Sequence, residues 1–538
     1  MGKSKNKITT VLISGQAGEG VKEAGIIFGK LLSLSGQEVF VTTELPSLIK
    51  GGYIFSRISF SQEKVFSDYG NPCLKIDIEK ELILFGQKSF HLPMKKLVEQ
   101  AKAPPITENS VALGALCYYF GLEFEKLKKI FEKTFKEKAQ INIELAKKGY
   151  EYLKNLKLPT RGLLKSKAIG LPAGGLIDGN EALALGLVKA GLQTYFAYPM
   201  TPATSILHFL AKKQKEFGLK TVQPENEIAA VQMTLGSAFA GFRSACGTSG
   251  GGFDLMQETC SLAGMSEVPL LVIVSQRMGP STGVPTHTSQ SDLQLVRFSG
   301  HGEFLRIILA PGDPEEAYLL GAEALNLAWK YRSLVIVLLD KHLSESLATS
   351  FLDFSKISAK IGLASGRKIE EKKGLVFPGM KNVVVKAASY EHDEKGISTE
   401  DPLVIKKMQE KRFKKLQFLL KEQKSKETVK VYGDKKSKNI IICWGSVKGA
   451  VLESLKHLKK PAKVVQPLWL EPLDTGKIKS YLKGAKKIID VEGNITAQLS
   501  SLIREKTGIE IKNKILKYDS RPFEPMELAK KINRFLFR

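Results

Sequence analysis

The sequence predicts an α/β protein built from three α/β units, and three observations carry that prediction. Strand-length apolar runs alternate with helical periodicity near the N-terminus. The same alternation runs without a break from about residue 180 to 340, and it restarts on a smaller scale after residue 431. Strands that alternate with helices imply parallel sheets.

The first unit is expected over residues 1–165. "TTVLISG" reads as a strand, "VKEAGIIFGKLLSLSG" as a helix stopped by Gly36, and "EVFVTTEL" as a second strand. Strand, helix and strand within about 35 residues predict a parallel sheet. The stretch 121–168 is helical and basic, and "KLPTRGLLKSKAIGLPAGG" reads as an interdomain linker. The second unit, 166–345, opens with helix "NEALALGLVKAG" and strand "QTYFAYP". Helix 203–216, strand "KTVQP", helix 225–240, strand "SACGTS", helix 253–263 and strand "VPLLVIVS" follow. Beyond a long loop come "FLRIIL", helix 313–330 and "SLVIVLLD", which completes a doubly wound pattern. Residues 346–430 lose the alternation and end in a charged helix, so a connector is expected there. The third unit, 431–538, reads "NIIICWGS", helix 447–458, strand "AKVVQPLWL", helix 474–482, strand "KKIIDVEGN" and helix 496–505.

Composition narrows the function. The 538 residues are 43% hydrophobic and 25% charged, as in a globular protein of several domains. No apolar run approaches the ~20 residues of a membrane span. The N-terminus "MGKSKNKITT" lacks the apolar core of a signal peptide, so a cytoplasmic, membrane-free protein is expected. The five cysteines are scattered with no C-x-x-C pair, which speaks against a disulfide framework and against a zinc or iron–sulfur site within this chain. The formal charge is +26, but the lysines are spread. That favours a solvated surface, or steering of an acidic protein partner, over nucleic-acid binding.

Ligands of open α/β sheets bind beyond the carboxyl ends of the strands. In the second unit, four strands deliver unusual residues to that edge. "QTYFAYP" runs out into "YPMTP", with Tyr198 and Thr201; Pro202 suits a first helical turn and Thr201 its N-cap. "KTVQP" runs out into Glu225 and Glu227, ahead of a helix rich in Ala and Gly. Small residues imply close packing, and a buried acid needs a partner. "SACGTS" runs out into Thr248, Ser249 and Gly250, a backbone nest at a helix start suited to an anion. "VPLLVIVS" runs out into a loop where Arg277 stands among Ser281, Thr282, Thr286, Thr288 and Ser289. A guanidinium among hydroxyls is carboxylate-binding chemistry, and Arg277 with Thr286 is the pair expected to grip a substrate carboxylate. In the first unit "GQAGEG" follows a strand and opens a helix. As a dinucleotide fingerprint it is degraded, with Ala17 at the second glycine position and Glu44 about where a ribose acid would stand.

Together these residues resemble the 2-oxoacid:ferredoxin oxidoreductases, specifically the subunit in which a γ domain is fused ahead of the α domains. "YPMTP" looks like the family's YPITP. "ENEIAAVQMTLGSAFAGFRS" resembles its glutamate-bearing helix, and "TSGGGFDLMQE" is similar to its TSGPG-x-x-LM-x-E. "QRMGPSTGVPTHTSQSDL" and "HGEF" resemble its substrate loop. "ELPSLIKGG" resembles the γ domain's PS-x-x-RGG, while "WGSVKGA" and "EGNITAQL" resemble the C-terminal domain. Met200, Gly251 and Lys50 depart from the usual residues without removing a catalytic group.

The resemblance implies a γ domain, a doubly wound thiamine-diphosphate-enzyme pyrimidine-type domain and a transketolase-C-like domain. It implies thiamine diphosphate, coenzyme A and ferredoxin chemistry on a 2-oxoacid, with 2-oxoglutarate favoured over pyruvate. Glu227 and Thr201 would be catalytic, Arg277, Thr286, Tyr198 and Thr201 would meet substrate, and Glu227, Thr248, Ser249 and Gly250 would meet the cofactor. The chain has no GDG motif with a metal-binding Asn, so a separate β subunit is expected to hold the diphosphate, magnesium and the iron–sulfur cluster, leaving no metal here. The indolepyruvate type would carry a C-x-x-C-rich domain, which this chain does not. The alternatives are a pyruvate or broad-specificity 2-oxoacid oxidoreductase subunit of the same superfamily, an NAD-dependent dehydrogenase built on "GQAGEG", and a basic nucleic-acid-binding protein.

Overall fold

The computed structural model describes residues 8–45, 52–157, 160–162, 175–353, 355, 376–381 and 384–537. They form two compact units. Most of "PSLIKGG", including Lys50, and residues 163–174 of the expected linker lie outside the described residues.

The first unit holds an eight-stranded sheet. Its strands are β1 (Thr9–Gln16), β2 (Glu38–Glu44), β3 (Tyr53–Ser61), β4 (Leu74–Asp77), β5 (Leu82–Phe85), β6 (Lys88–His91), β7 (Gly175–Ile177) and β14 (Leu347–Ser350). The order is β6-β5-β4-β1-β3-β2-β14-β7. The expected parallel sheet needs correction, because this sheet is mixed: β1 pairs parallel with β4. β3 lies between β1 and β2 and pairs antiparallel with both. Its sequence "YIFSRISFS" is rich in aromatic and β-branched residues and alternates with polar ones from Arg57 to Ser61, and its antiparallel direction makes the sheet mixed. The helix Val21–Leu34 lies on this sheet, and Gly25 and Gly29 allow the approach: a Cβ at Gly25 would overlap the Ser56 hydroxyl. The basic stretch forms helices Phe124–Phe135 and Ala139–Asn155, which bury Leu127, Ile130, Phe131, Leu145 and Leu153.

The second unit holds two sheets. The larger comprises β8 (Thr194–Phe196), β9 (Lys220–Val222), β10 (Ser244–Thr248), β11 (Leu270–Gln276), β12 (Arg306–Leu309), β13 (Leu334–Asp340) and β18 (Trp469–Glu471). Their order is β18-β12-β13-β11-β10-β8-β9, and β8 to β13 are all parallel. Strands β10, β11 and β13 are buried along their whole length, as a sheet with helices on both faces requires. The smaller sheet comprises β15 (Val429–Gly433), β16 (Asn439–Ile442), β17 (Lys463–Pro467), β19 (Lys487–Glu492) and β20 (Asn513–Leu516), in the order β15-β17-β16-β19-β20. The run "AKVVQPLWL", read as one strand, is two. It leaves the small sheet at Pro467 and enters the large one at Trp469, where β18 pairs antiparallel with β12. Helix 253–263 is likewise two helices, Gly250–Asp254 and Gln257–Ser266. No helix among the described residues is long and apolar enough to cross a membrane.

A buried charge cluster ties the two sheets together. Lys448 and Glu316 are each 1% exposed and lie 2.8 Å apart. Asp313 also pairs with Lys448, while Lys430 approaches Glu316 at 3.1 Å. The Gln466 amide and the Gly312 N–H donate to the other Glu316 oxygen at 2.8 and 2.7 Å. Burial alone would push the Glu316 carboxyl up, but Lys448 and Lys430 hold it down to about 2. Its stabilising contribution is therefore present above the ordinary value of 4.5 and is lost as pH falls towards 2. Breaking a buried pair leaves an uncompensated charge, which costs about 3–5 kcal/mol. Lys448→Ala is expected to destabilise this unit by that amount in urea unfolding; a loss below about 1 kcal/mol would show that the cluster is dispensable.

Candidate active site at a reversal of strand order

The chain leaves β8 towards β9 on one side and leaves β10 towards β11 on the other. Between those carboxyl ends the connections part, and a crevice opens where an open α/β sheet takes its ligand. The turn after β8 forms one wall. Its helix is Thr204–Phe217 with Ala203 at the N-cap, so Thr201 is not the cap that its sequence position suggested. Two more residues fit into the turn before regular helix begins. Freed from capping, Thr201 gives its carbonyl to the Arg277 guanidinium, whose Nη1 donates at 2.8 Å. The Asn180 amide pins the same turn, donating to the Pro202 carbonyl at 2.8 Å and to the Ser205 hydroxyl at 2.7 Å. Sequence reading missed Asn180; its only signal was an amide residue in "DGNEALA", beside a helix start.

The other wall comes from β9 and β10. Asn226 caps the helix Glu227–Phe239, its side chain accepting from the Ala229 N–H at 2.9 Å. That leaves Glu225 exposed and Glu227 4% exposed. Glu227 faces the turn after β10 because residue 252 has no side chain. A Cβ at Gly252 would overlap the Thr248 hydroxyl and lie 2.8 Å from Glu227 Cγ and 3.1 Å from its Oε1. Thr248 touches Met200 across the crevice, its hydroxyl donating to the sulfur at 3.9 Å. Ser249 stands at the N-cap position of the short helix Gly250–Asp254 without a side-chain capping bond. Gly251 has room for a side chain, so its departure from the usual residue disturbs nothing.

The long loop closes over this edge. Met278 and Val284 form a bridge, and the Met278 N–H donates to the His287 carbonyl at 3.2 Å, which returns Thr286 to the neighbourhood of Arg277. Asp292, also missed from sequence, ends the loop. Its N–H donates to the Gln276 amide oxygen at 2.9 Å, and its carboxylate occupies the place a Cβ at Gly250 would need. Burial pushes the Asp292 carboxyl up to about 6, against the pull of the Ser291 hydroxyl and the Arg277 charge. Burial lowers the Arg277 value, opposed by Asp292 and Glu227. The C-terminal sheet anchors the loop. Gln290 donates to the Trp444 carbonyl and accepts from the Gly493 N–H, both at 2.9 Å, and Asn494 donates to the Gln290 carbonyl at 3.0 Å. Tyr198, 38% exposed, stands at the end of β8.

Buried polar atoms around this crevice without a hydrogen-bond partner among the described residues include Glu227 Oε1, Ser249 Oγ, Arg277 Nε and Asn180 Oδ1. Natural proteins rarely leave such atoms unpaired, so their grouping marks a site completed by a ligand. An acid, a hydroxyl and a guanidinium suit a heterocycle with ring nitrogens together with a carboxylate.

The first unit's "GQAGEG" turn is built differently from a phosphate cradle. The Gln16 N–H is taken by the Glu19 carboxyl at 2.6 Å, and that carboxyl occupies the space beside Gly15. Burial and a hydrogen bond to Glu79 push Glu19 up to about 7. The Glu19 carboxyl fills the turn and the Glu79 charge stands beside it, and this argues against the dinucleotide reading.

Comparison with known proteins shows the family. Residues 185–411 match the family model described as pyruvate flavodoxin/ferredoxin oxidoreductase, thiamine diphosphate-binding. Residues 10–83 and 75–152 match the model described as pyruvate ferredoxin/flavodoxin oxidoreductase. A 2-oxoacid:ferredoxin oxidoreductase subunit alpha from Sulfolobus is 30% identical over 96% of this chain and 95% of its own length. The chain belongs to this family of alpha subunits. A 2-oxoglutarate synthase subunit KorA from Archaeoglobus fulgidus is 39% identical over 32% of this chain and 51% of its own. Among solved structures, a 2-oxoglutarate:ferredoxin oxidoreductase from Magnetococcus marinus, with 2-oxoglutarate, coenzyme A and succinyl-CoA bound, superposes with a TM-score of 0.86 at 28% identity, covering 99% of this chain and 100% of that one. The α/β fold of this alpha subunit and its oxidoreductase class follow from these matches.

The alpha subunit's Glu19 gives a test by pH. A carboxyl raised from 4.5 to about 7 on folding contributes stability that is complete below the unfolded value and lost as pH rises through the folded one. Glu19→Gln keeps the hydrogen bonding and removes the titration. Its thermal midpoint should exceed that of the unaltered chain at pH 8 and approach it at pH 4.5. Parallel pH profiles for the two proteins would refute the protonated Glu19.

Proposed function

We propose that the crevice between β8 and β10 is the half of an active site that recognises a 2-oxoacid and the pyrimidine ring of thiamine diphosphate, and that 2-oxoglutarate is the substrate. The observation that carries this reading is the grouping of the unsatisfied Glu227, Ser249 and Arg277 atoms at one reversal of strand order. Glu227 fits the cofactor: it is buried at a helix start with one carboxylate oxygen unpaired, so it is placed to hydrogen-bond a ring nitrogen and hold a proton there. Thr248, Ser249 and Gly250 line the same position. Thiamine diphosphate, when bound, supplies the electron sink for loss of carbon dioxide. Arg277 grips the substrate carboxylate with Thr286, and the Thr201 turn fixes the guanidinium by its carbonyl while Thr201 and Tyr198 meet the substrate's keto end. Support for a dicarboxylate comes from the KorA relatives and from the 2-oxoglutarate bound in the Magnetococcus structure.

The rest of the machinery belongs to partners. A β subunit would carry the diphosphate, magnesium and iron–sulfur sites, because this chain has neither a GDG motif nor clustered cysteines. Coenzyme A is the acyl acceptor and ferredoxin the electron acceptor, in a cytoplasmic complex. We assign 1–165 to a γ-type domain, 166–345 to the pyrimidine-type domain, 346–430 to a connector and 431–538 to the transketolase-C-like domain.

Two variants test the roles. In the complex assembled with its β subunit, Glu227→Gln should slow exchange of the thiazolium proton, while Glu225→Gln should leave it unchanged because that side chain is exposed. The reverse pattern would reassign the acid. Arg277→Lys keeps the charge but cannot form two parallel bonds to a carboxylate. Dye reduction across a panel of 2-oxoacids should favour 2-oxoglutarate in the unaltered complex. Arg277→Lys should lower kcat/KM for it roughly ten- to a hundredfold, mostly through KM. An unchanged KM in both Arg277→Lys and Arg277→Ala would remove Arg277 from the site, and a preference for pyruvate would overturn the choice of substrate.

A further inference from the structure

A cleft of about 330 Å³ lies between strand β20 and the helix Pro525–Phe537. Its walls are Lys514, Ile515 and Leu516 from the strand and Lys531, Arg534 and Phe535 from the helix. The three helix residues are spaced i, i+3, i+4, so they share one face. Lys514, Lys531 and Arg534 are exposed, and none forms an ion pair among the described residues. The acid nearest in register is Asp490, which pairs with Lys514 across β19 and β20. Burial, and then the neighbouring Glu492, push its carboxyl above the ordinary value against the pull of the Lys514 charge, and no ion pair joins the two.

The plain explanation is that Arg534 complements the dipole in the last turn of its helix. It accounts for Arg534 and not for Lys531, a turn earlier, or for Lys514, which stands on a different element. Three unpaired cations converging on a concave site of ligand size call for a polyanion. Strand β20 is only four residues long, so it offers little edge for an extended peptide to pair with. A compact ligand fits better, and the Phe535 ring provides an apolar wall for a base.

We propose that this cleft binds a compact phosphorylated anion of nucleoside-polyphosphate class, at a site separate from the crevice between β8 and β10. Arg534 takes a phosphate in two parallel bonds, Lys514 and Lys531 act as point charges, and Phe535 meets the base.

Titration calorimetry of the full chain with ATP, and separately with inorganic tripolyphosphate, tests the site at low salt. One submillimolar site is expected for both, with ATP the tighter. Lys531→Gln and Arg534→Gln should each weaken binding roughly tenfold or more, and Arg534→Lys should fall between. Circular dichroism melting keeps a folding defect from being read as a binding defect. No heat with either probe, or affinities indifferent to all three variants, would overturn the proposal. So would a hexaglutamate peptide that binds more tightly than ATP and loses that affinity in the same variants, since the cleft would then serve an acidic protein.

Discussion

Everything at the candidate site depends on where the parallel sheet reverses its strand order. Because β8 hands the chain to one side and β10 to the other, no connection covers the gap between their carboxyl ends. The turn carrying Thr201, the helix start carrying Glu227 and the turn carrying Ser249 are then neighbours although 48 residues separate the first from the last. Local chemistry alone would leave each as an ordinary loop. A buried acid, a buried hydroxyl and a half-buried guanidinium are tolerable only because the reversal leaves space for an outside partner to satisfy them.

A second constraint follows from the first. A crevice of this kind is useful only if its loops are fixed, and the chain uses its smaller sheet for that. The run from Pro467 to Trp469 passes between sheets, and Gln290 is clamped by the backbone of Trp444 and Gly493 at the ends of strands in the smaller sheet. Beneath them lies the Lys448–Glu316 cluster, where two full charges survive burial because Asp313, Lys430 and Gln466 complete their hydrogen bonds. Directional polar contacts hold a register that apolar packing would leave free to slide, at the cost of desolvating each charge. The loop's Asp292 is fixed by the same logic, through Gln276.

The two glycine-rich turns of this chain show how one neighbouring residue changes what a turn can do. Both follow a strand and open a helix, and both offer backbone N–H groups. After β10 the turn is flanked by Ser249 and by Gly252, whose missing side chain admits Glu227 from a different helix. After β1 the turn contains its own acid, Glu19, which folds back onto the Gln16 N–H and fills the position a phosphate would take. A motif written as glycines at fixed spacing does not distinguish these cases; the side chain that reaches the N–H groups does.

Much of this alpha subunit was legible in its sequence. Strand and helix periods are local properties, so most elements of the second unit fall within a few residues of where periodicity places them. Glu227 was preferred over Glu225 from its resemblance to the family's glutamate-bearing helix, and the capping by Asn226 is the physical reason it is buried. Pairing partners were not legible, because they depend on residues far apart in the chain. Strand β3 between β1 and β2, the split of "AKVVQPLWL" between two sheets, the displacement of Thr201 from the N-cap, and the parts played by Asn180 and Asp292 all follow from contacts across tens or hundreds of residues. The sequence by itself determined which elements form and which chemical groups stand at their ends. Only the tertiary structure decided which of those groups meet, because strand order and buried polar pairing are settled by competition among distant segments for the same edges and the same hydrogen bonds.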